Sequence, residues 1–217
     1  MKMKCIAGAL LCACLAGCAS GPPKGKYKPI ASEAIAGIAN GHYVLKTAPT
    51  PDFVQMTGGD QATMTVGVLF GPVGGVIGVA AARANAKARG QTLVAENAIP
   101  DPTPRLVERI GAVLSAKYGS TAGASDYELD IGVDNWAIGK DNVLFFASAT
   151  LIDARTKREL ASGKCRYSNE NAPAKPSLDQ LLGSKAEGLK REIDKGIDFC
   201  ADAFDREVFV AGAASAP

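Results

Sequence analysis

The strongest constraint on the fold is a run of strict alternation over residues 126–134. The apolar positions are Tyr127, Leu129, Ile131 and Val133, and the positions between them are Glu128, Asp130, Gly132 and Asp134. A period of two is typical of a strand with one face on a core and the other in water. We interpret the three acids as a solvated sheet face, because no histidine or further ligand lies nearby in the sequence.

Two more strands follow with short connections. Residues 139–142, Gly-Lys-Asp-Asn, have turn chemistry, and residues 143–152 are apolar on both faces. A second turn at residues 153–157 leads into a strand at residues 160–167. Connections this short join antiparallel neighbours. Residues 126–168 are therefore predicted to form a three-stranded antiparallel meander without a parallel crossover.

Two amphipathic helices flank the predicted meander. The first has Thr103 as a candidate cap, Pro104 at the first helical position and Gly119 at its end. The second begins with a capping box at Ser177 and Gln180, and its apolar residues recur at threes and fours as far as Val208. The predicted fold class is α+β: a three-stranded antiparallel meander packed on one face by amphipathic helices, including a long C-terminal helix.

The first 17 residues have the layout of a secretory signal. Lys2 and Lys4 precede thirteen uncharged residues, from Cys5 to Gly17. As a helix this run would rise about 20 Å, whereas spanning the hydrocarbon of a membrane takes about 20 residues. The run is thus too short for a permanent anchor.

The signal ends in Leu15-Ala16-Gly17-Cys18, which resembles the cleavage box of bacterial lipoproteins. The resemblance implies that Cys18 receives a diacylglycerol, that cleavage follows Gly17, and that the new amino group is acylated. Two or more acyl chains hold a protein stably on a membrane. Ala19 stands where an inner-membrane lipoprotein has aspartate, which implies the periplasmic face of the outer membrane. An ordinary secreted protein, cut after another small residue, is the alternative.

Six cysteines occur in the whole chain. Three lie in the predicted signal and Cys18 would carry lipid, which leaves Cys165 and Cys200. In an oxidising periplasm, two remaining thiols indicate one disulfide. Two buried free thiols are the alternative. Apart from the covalent lipid on Cys18 we expect no cofactor.

The domain organisation follows from these features and from composition. Residues rich in proline, glycine and lysine follow Cys18 and indicate a tether rather than a headgroup-binding segment. One or two short strands are expected before residue 60. The predicted divisions are 1–17, signal; 18–35, lipidated cysteine and tether; 36–60, irregular or short strands; 61–98, Gly/Ala-rich segment; 99–210, α+β domain; and 211–217, disordered tail.

A stretch of 22 uncharged residues, 61–82, carries glycines at spacings near three and four. They are Gly67, Gly71, Gly74, Gly75 and Gly78. The pattern resembles the glycine-zipper segments of small envelope lipoproteins, which implies a membrane-inserted or self-associating helix. Pro72 interrupts the pattern, so a flexible apolar loop or buried hairpin is the alternative. From residue 80 to 97 the chain is alanine-rich and should continue as a helix.

Charge and motifs exclude several function classes. Removing Lys2 and Lys4 from the 24 basic residues leaves 22 to balance 22 acidic ones, whereas nucleic-acid binding needs a basic surface. The sole histidine is His42, and no Cys-x-x-Cys pair is present to suggest a metal site. A Ser/His/Asp triad would depend on His42, and spacing alone cannot place a catalytic carboxylate pair. We therefore expect no enzyme.

The sequence favours a non-catalytic envelope lipoprotein that binds a protein or lipid partner near the outer membrane. The layout of anchor, tether, helix, meander and long C-terminal helix resembles that of periplasmic auxiliary lipoproteins of transport and assembly systems. That resemblance assigns no functional residue. The alternative hypothesis is a membrane-active oligomer that inserts residues 61–82.

Overall fold

The computed structural model describes residues 25–60, 74–119, 125–140 and 142–210. The strands are β1 (Gly25–Lys28), β2 (Tyr43–Thr47), β3 (Val54–Gln55), β4 (Tyr127–Ile138), β5 (Val143–Asp153) and β6 (Glu159–Ser168). The helices with defined bounds are α1 (Ser32–Ala39), α2 (Gly74–Asn97), α3 (Pro102–Tyr118) and α4 (Leu178–Glu207).

The sheet contains the predicted meander but extends beyond it on both sides. Strands β4, β5 and β6 are antiparallel neighbours, as predicted. The prediction of a three-stranded antiparallel sheet is wrong, because the described sheet has six strands of mixed direction in the order β1-β6-β5-β4-β2, with β3 also on β4. Strands β2 and β3 pair parallel with the outer edge of β4. The long stretch between β3 and β4, which includes α2 and α3, provides the crossover that parallel pairing requires.

The opposite edge is formed by β1, within the stretch that the sequence assigned to a tether. Tyr27 lies opposite Gly163 in the antiparallel pairing with β6. Ile30 follows in the core at 1% exposure, and its N–H donates to the carbonyl oxygen of Val208 at 3.1 Å. Pairing with β1 covers the edge of β6, which would otherwise present unpaired backbone groups. The folded domain therefore begins no later than residue 25.

The helices pack on one face of the sheet, as predicted. Phe204 of α4 and Val208, the residue after this helix, cover Gly163 of β6, and the backbone of Gly196 lies on Phe145 of β5. On β5 every second residue is buried, while the residues between are half-buried. The alternation places one continuous core between the sheet and the helices.

The helix termini refine the sequence prediction. The cap of α3 is Asp101 rather than Thr103, because the Asp101 carboxylate accepts from the backbone N–H of Thr103 at 2.8 Å. Gly119 ends α3 at φ +81°, as expected for a glycine after a helix. The capping box at Ser177 and Gln180 is present at the start of α4.

Helix α4 is not continuous over its whole length. The backbone leaves helical geometry at Gly183, and Ser184, Lys185 and Ala186 have φ values of 51°, 59° and 57°. Left-handed conformation costs a residue with a Cβ roughly 1–2 kcal/mol. The first turn of α4 folds back onto the helix, so that the carbonyl of Gln180 occupies the space where a side chain on Gly188 would lie.

The predicted disulfide is confirmed. Cys165 of β6 and Cys200 of α4 are bonded, with 5.5 Å between their Cα atoms. Both residues are buried, at 2% and 0% exposure. The bond fixes the long C-terminal helix to the sheet, at a level where small residues on β6 let the helix approach closely.

Candidate interaction surface

The face of the sheet opposite the helices has no described element packed on it. Along β5 its side chains are Leu144, Phe146, Ser148, Thr150 and Ile152, all half-buried. None of the three apolar residues among them belongs to the hydrophobic core cluster. We call this surface the open face; it consists of the side chains of β1, β6, β5, β4 and β2 that point away from the helices.

One half of the open face is basic. Lys26 and Lys28 of β1 lie beside Lys164 and Ser162 of β6, because the register pairs them directly. Lys28 is paired with Glu159 at 3.4 Å. Farther along β6, the guanidinium of Arg166 lies 5.5 Å from the centre of the Phe146 ring, within cation–π range. The basic half therefore adjoins Phe146 and the other half-buried side chains of β5.

The other half is acidic and lies on β4. Asp130 and Asp134 are exposed, and the Asp134 carboxylate accepts from the hydroxyl of Ser148 at 2.7 Å. Glu128 is held by Lys46 at 2.9 Å and by Lys157 at 3.2 Å. Hydrogen bonds from these two lysines lower the pKa of Glu128. The described residues contain no group of three or more His, Cys, Asp or Glu arranged to hold a metal ion.

A bulge in β4 keeps the acidic half exposed without opening the core. The register shifts between Val133 and Asn135, so Val133 and Trp136 are both buried while Asp134 and Asn135 are both exposed. Trp136 is 4% exposed and its indole N–H donates to the carbonyl of Pro51 at 2.7 Å. Because β3 and the chain before it cover this end of β4, Trp136 belongs to the hydrophobic core.

The described contacts of His42 do not form a catalytic triad. Its Nδ1 lies 2.9 Å from the carboxylate of Asp126, and both side chains are largely exposed. No described hydrogen bond brings a serine, threonine or cysteine to the imidazole of His42. A His–Asp pair without a nucleophile, in open solvent, lacks the arrangement that nucleophilic catalysis needs.

A cleft of about 520 Å³ lies beside the first part of α4 and is lined in part by Lys175, Arg191, Glu192 and Lys195. Its buried acid, Glu192, accepts from the hydroxyl of Tyr167 at 2.8 Å and from Lys195 at 2.6 Å. Burial, and then the hydrogen bond to Glu192, raise the pKa of the Tyr167 phenol. The group links β6 to α4, and we assign it a structural role.

The remaining sequence-predicted site residues are only partly within the described structure. Cys18, Gly67 and Gly71 lie outside the described residues, whereas Gly74, Gly75 and Gly78 are in the first turns of α2. Of the helices in the described part of the chain, none has the length and apolar composition of a membrane span. Insertion of residues 61–82 stays a prediction.

The later part of α2 is attached to the domain beside β3. The guanidinium of Arg89 donates to the carbonyl of Gln55 at 3.1 Å and is paired with the carboxylate of Asp60. Hydrogen bonds from the backbone and side chain of Thr57, followed by the charge of Arg89, lower the pKa of Asp60. Ala86, one turn earlier, is completely buried. These contacts fix α2 at the same sheet edge as β3.

Comparison with known proteins finds distant structural neighbours. No family model and no curated protein matches the chain. The PelC dodecamer from Paraburkholderia phytofirmans is 12% identical with a TM-score of 0.37, covering 83% of this chain and 96% of that chain. Lipoprotein GNA1162 from Neisseria meningitidis is 18% identical with a TM-score of 0.23, covering 70% and 98%. The LpoB C-terminal domain from Salmonella enterica is 10% identical with a TM-score of 0.18, covering 64% and 95%. Likeness at this level assigns neither family nor activity.

Proposed function

We propose that this chain is a non-catalytic envelope lipoprotein, anchored through Cys18 on the periplasmic face of the outer membrane, whose domain binds a protein partner through the open face. The observation that carries the proposal is the open face itself, on which Leu144, Phe146 and Ile152 of β5 lie between a basic and an acidic half. The lipoprotein-type sequence at residues 15–18 supports the anchor.

The start of the domain supports a position close to the membrane. Six residues separate Cys18 from Gly25, the first residue of β1. Fully extended, this connection spans at most about 25 Å. Gly25 lies level with Cys165 and β1 runs from there towards Ser162, so the chain enters from the side of the sheet that carries the β4–β5 turn. That end of the sheet would lie nearest the lipid.

The chemistry of the open face favours a protein as the partner. An arginine stacked on Phe146, with Leu144 beside it, is a composition enriched at the centres of protein interfaces. Nucleic-acid binding relies on a basic surface along which phosphates can lie, whereas the β4 half of the open face is acidic. Charges at the margins of an apolar centre steer a partner and fix its orientation.

Photo-crosslinking in intact cells tests this proposal. The full-length chain carries a photoreactive phenylalanine analogue at Phe146, and the matched control carries it at Asp198, which is exposed on α4. We expect an adduct with a protein that depends on illumination from position 146 and little or none from position 198. Absence of any adduct from position 146, in cells where the protein is folded and abundant, would contradict the proposal.

A further inference from the structure

We infer that the cleft beside the first part of α4 binds the phosphate group of an anionic phospholipid in the membrane that holds Cys18. This rests on the proposed function, because the lipid on Cys18 is what brings the cleft to the membrane. We call the site the α4 cleft; its lining includes Lys175, Pro176, Gln180, Gly188, Arg191 and Lys195.

The α4 cleft carries more positive than negative charge. Lys175, Arg191 and Lys195 line it together with one acid, Glu192. The Glu192 carboxylate is already used, because it accepts from Lys195 at 2.6 Å and from the hydroxyl of Tyr167 at 2.8 Å. An anion in the cleft would therefore meet cations, and Glu192 would oppose it little.

Arg191 is the cation best placed to hold a phosphate. It is exposed, and no acid in the described part of the chain forms an ion pair with it. Glu187, one turn earlier, is paired with Lys190 at 2.9 Å instead. Glu170 and Asp179 are exposed acids in the same part of the chain, but neither lines the cleft. A guanidinium offers paired N–H donors that match two phosphate oxygens.

The interruption of α4 creates the cleft. The left-handed residues 184–186 turn the first part of the helix back, so that Gln180 lies against Gly188 and lines the same cleft as Arg191. In a continuous helix, Gln180 would lie about 12 Å from Gly188 along the axis, and this wall would be missing. Strained backbone that the surrounding fold maintains is typical of functional sites.

Contacts between α4 and β6 locate the cleft within the domain. The helix and the strand run antiparallel, and four helix residues correspond to two strand residues in the contacts Phe204–Gly163, Cys200–Cys165 and Gly196–Tyr167. The same spacing places Gly188 beyond Ser168, the last residue of β6. Ser168 pairs with Leu144, at the start of β5. The α4 cleft therefore lies at the end of the sheet that carries the β4–β5 turn.

The tether brings that same end to the membrane. Gly25 lies level with Cys165, three residues before the end of β6, so the chain needs about 10 Å to pass the end of the sheet. The whole connection to Cys18 spans at most about 25 Å. With this end towards the bilayer, the sheet would lie no more than about 15 Å from it. The α4 cleft projects into that gap and would face the lipid headgroups.

A lipid phosphate suits the cleft better than a dissolved anion. Each Lys or Arg near an anionic surface contributes about a factor of five in affinity, so two or three cations bind a single phosphate weakly. Occupancy then requires a high local concentration of phosphate groups. A bilayer to which the protein is tethered provides it. The open face, which lies along the strands, would stay accessible to a protein.

Photo-crosslinking to lipid tests the inference with the full-length chain, processed and lipidated in cells, purified in detergent and placed in vesicles. A photoreactive phenylalanine analogue replaces Ala174, exposed at the α4 cleft, and the matched control replaces Ala36, exposed on α1 towards the opposite end of the sheet. The vesicles contain phosphatidylcholine and phosphatidylglycerol. We expect position 174, and not position 36, to give adducts enriched about fivefold in phosphatidylglycerol relative to its share of the vesicle.

Charge variants test whether the cleft itself is responsible. Arg191→Glu should lower the phosphatidylglycerol adduct about fivefold or more, whereas Arg191→Lys should retain most of it. Arg206→Glu makes the same change of charge at the other end of α4 and should leave the adduct unchanged. Inorganic phosphate added at constant ionic strength should not displace the lipid.

The outcomes separate this inference from the proposed function. Adducts that follow the vesicle composition, or an equal loss in Arg206→Glu, overturn a headgroup site in the α4 cleft. Displacement by inorganic phosphate shows a site for a dissolved anion and overturns the lipid as its ligand. These vesicles contain no other protein, so none of these results affects the open face. A chain that does not stay with the vesicles overturns the anchor, and with it both proposals.

Discussion

Replacing Cys165 and Cys200 together by alanine is expected to lower the free energy of unfolding by about 4 kcal/mol. The bond joins residues separated by 35 positions, and closing a loop of that length restricts the unfolded chain by this amount in the chain-entropy model. Urea unfolding followed by Trp136 fluorescence measures the change.

Reductant provides the control for this prediction. Adding it to the unaltered protein should reproduce the loss of stability, whereas the double-alanine variant should not respond. Alanine is the suitable replacement because both side chains are buried and serine would place an extra hydroxyl in the core. Equal unfolding midpoints for the unaltered and double-alanine proteins would show that the disulfide does not contribute to stability.

Gly90→Ala is expected to destabilise the protein by about 1–2 kcal/mol. A Cβ at this position would coincide with the backbone carbonyl of Phe53, which cannot move aside as a side chain can. Overpacking of this kind typically costs 1–3 kcal/mol, and it would exceed the gain of about 1 kcal/mol that alanine brings to a helix interior. The change would separate α2 from β3, and unfolding in urea measures it.

Gly111→Ala is the matched control, since it makes the same change within α3. There the nearest atom to a new Cβ is Cδ1 of Leu45 at 3.2 Å, the end of a flexible side chain. We expect this variant to be neutral or slightly stabilising, by up to about 1 kcal/mol. If both variants lost the same stability, the close approach of α2 to Phe53 would not be the cause.

The sequence predicted the local part of the fold well. Strict alternation and turn residues identified β4, β5 and β6, and the capping box at Ser177 placed the start of α4. The cysteine count led to the Cys165–Cys200 bond. The strands and helices could be predicted because backbone geometry and burial make apolar residues recur at short, regular spacings along the chain. The interruption of α4 near Gly183 has no comparable pattern in the sequence.

Pairing between distant segments could not be predicted in the same way. Strands β1 and β3 are four and two residues long, too short for a period to be recognised. Nothing in residues 43–47 specifies that they pair in parallel with β4. Alternation in the sequence was enough to place the acids of β4 on one face. The basic half could not be predicted in this way, because it depends on the pairing of β1 with β6, which brings Lys26 beside Lys164.

The acids of β4 lie across the sheet from basic residues of β6. In isolation, Glu128, Asp130 and Asp134 are an ordinary solvated face, and they remain exposed or bound to lysine in the structure. Opposite them, across the half-exposed stripe of β5, the register places Lys164 and Arg166. The separation of the two signs, rather than the acids themselves, makes the open face a candidate interface.

Labelling with a fatty acid in growing cells tests the proposed lipid anchor on Cys18 most directly. The protein is isolated after growth with a tagged palmitate, and Cys18→Ser is compared with Cys14→Ser, which changes a cysteine within the predicted signal. We expect label in the unaltered protein and in Cys14→Ser, and none in Cys18→Ser. Undiminished label in Cys18→Ser, or no label in the unaltered protein, would contradict a lipid-anchored protein.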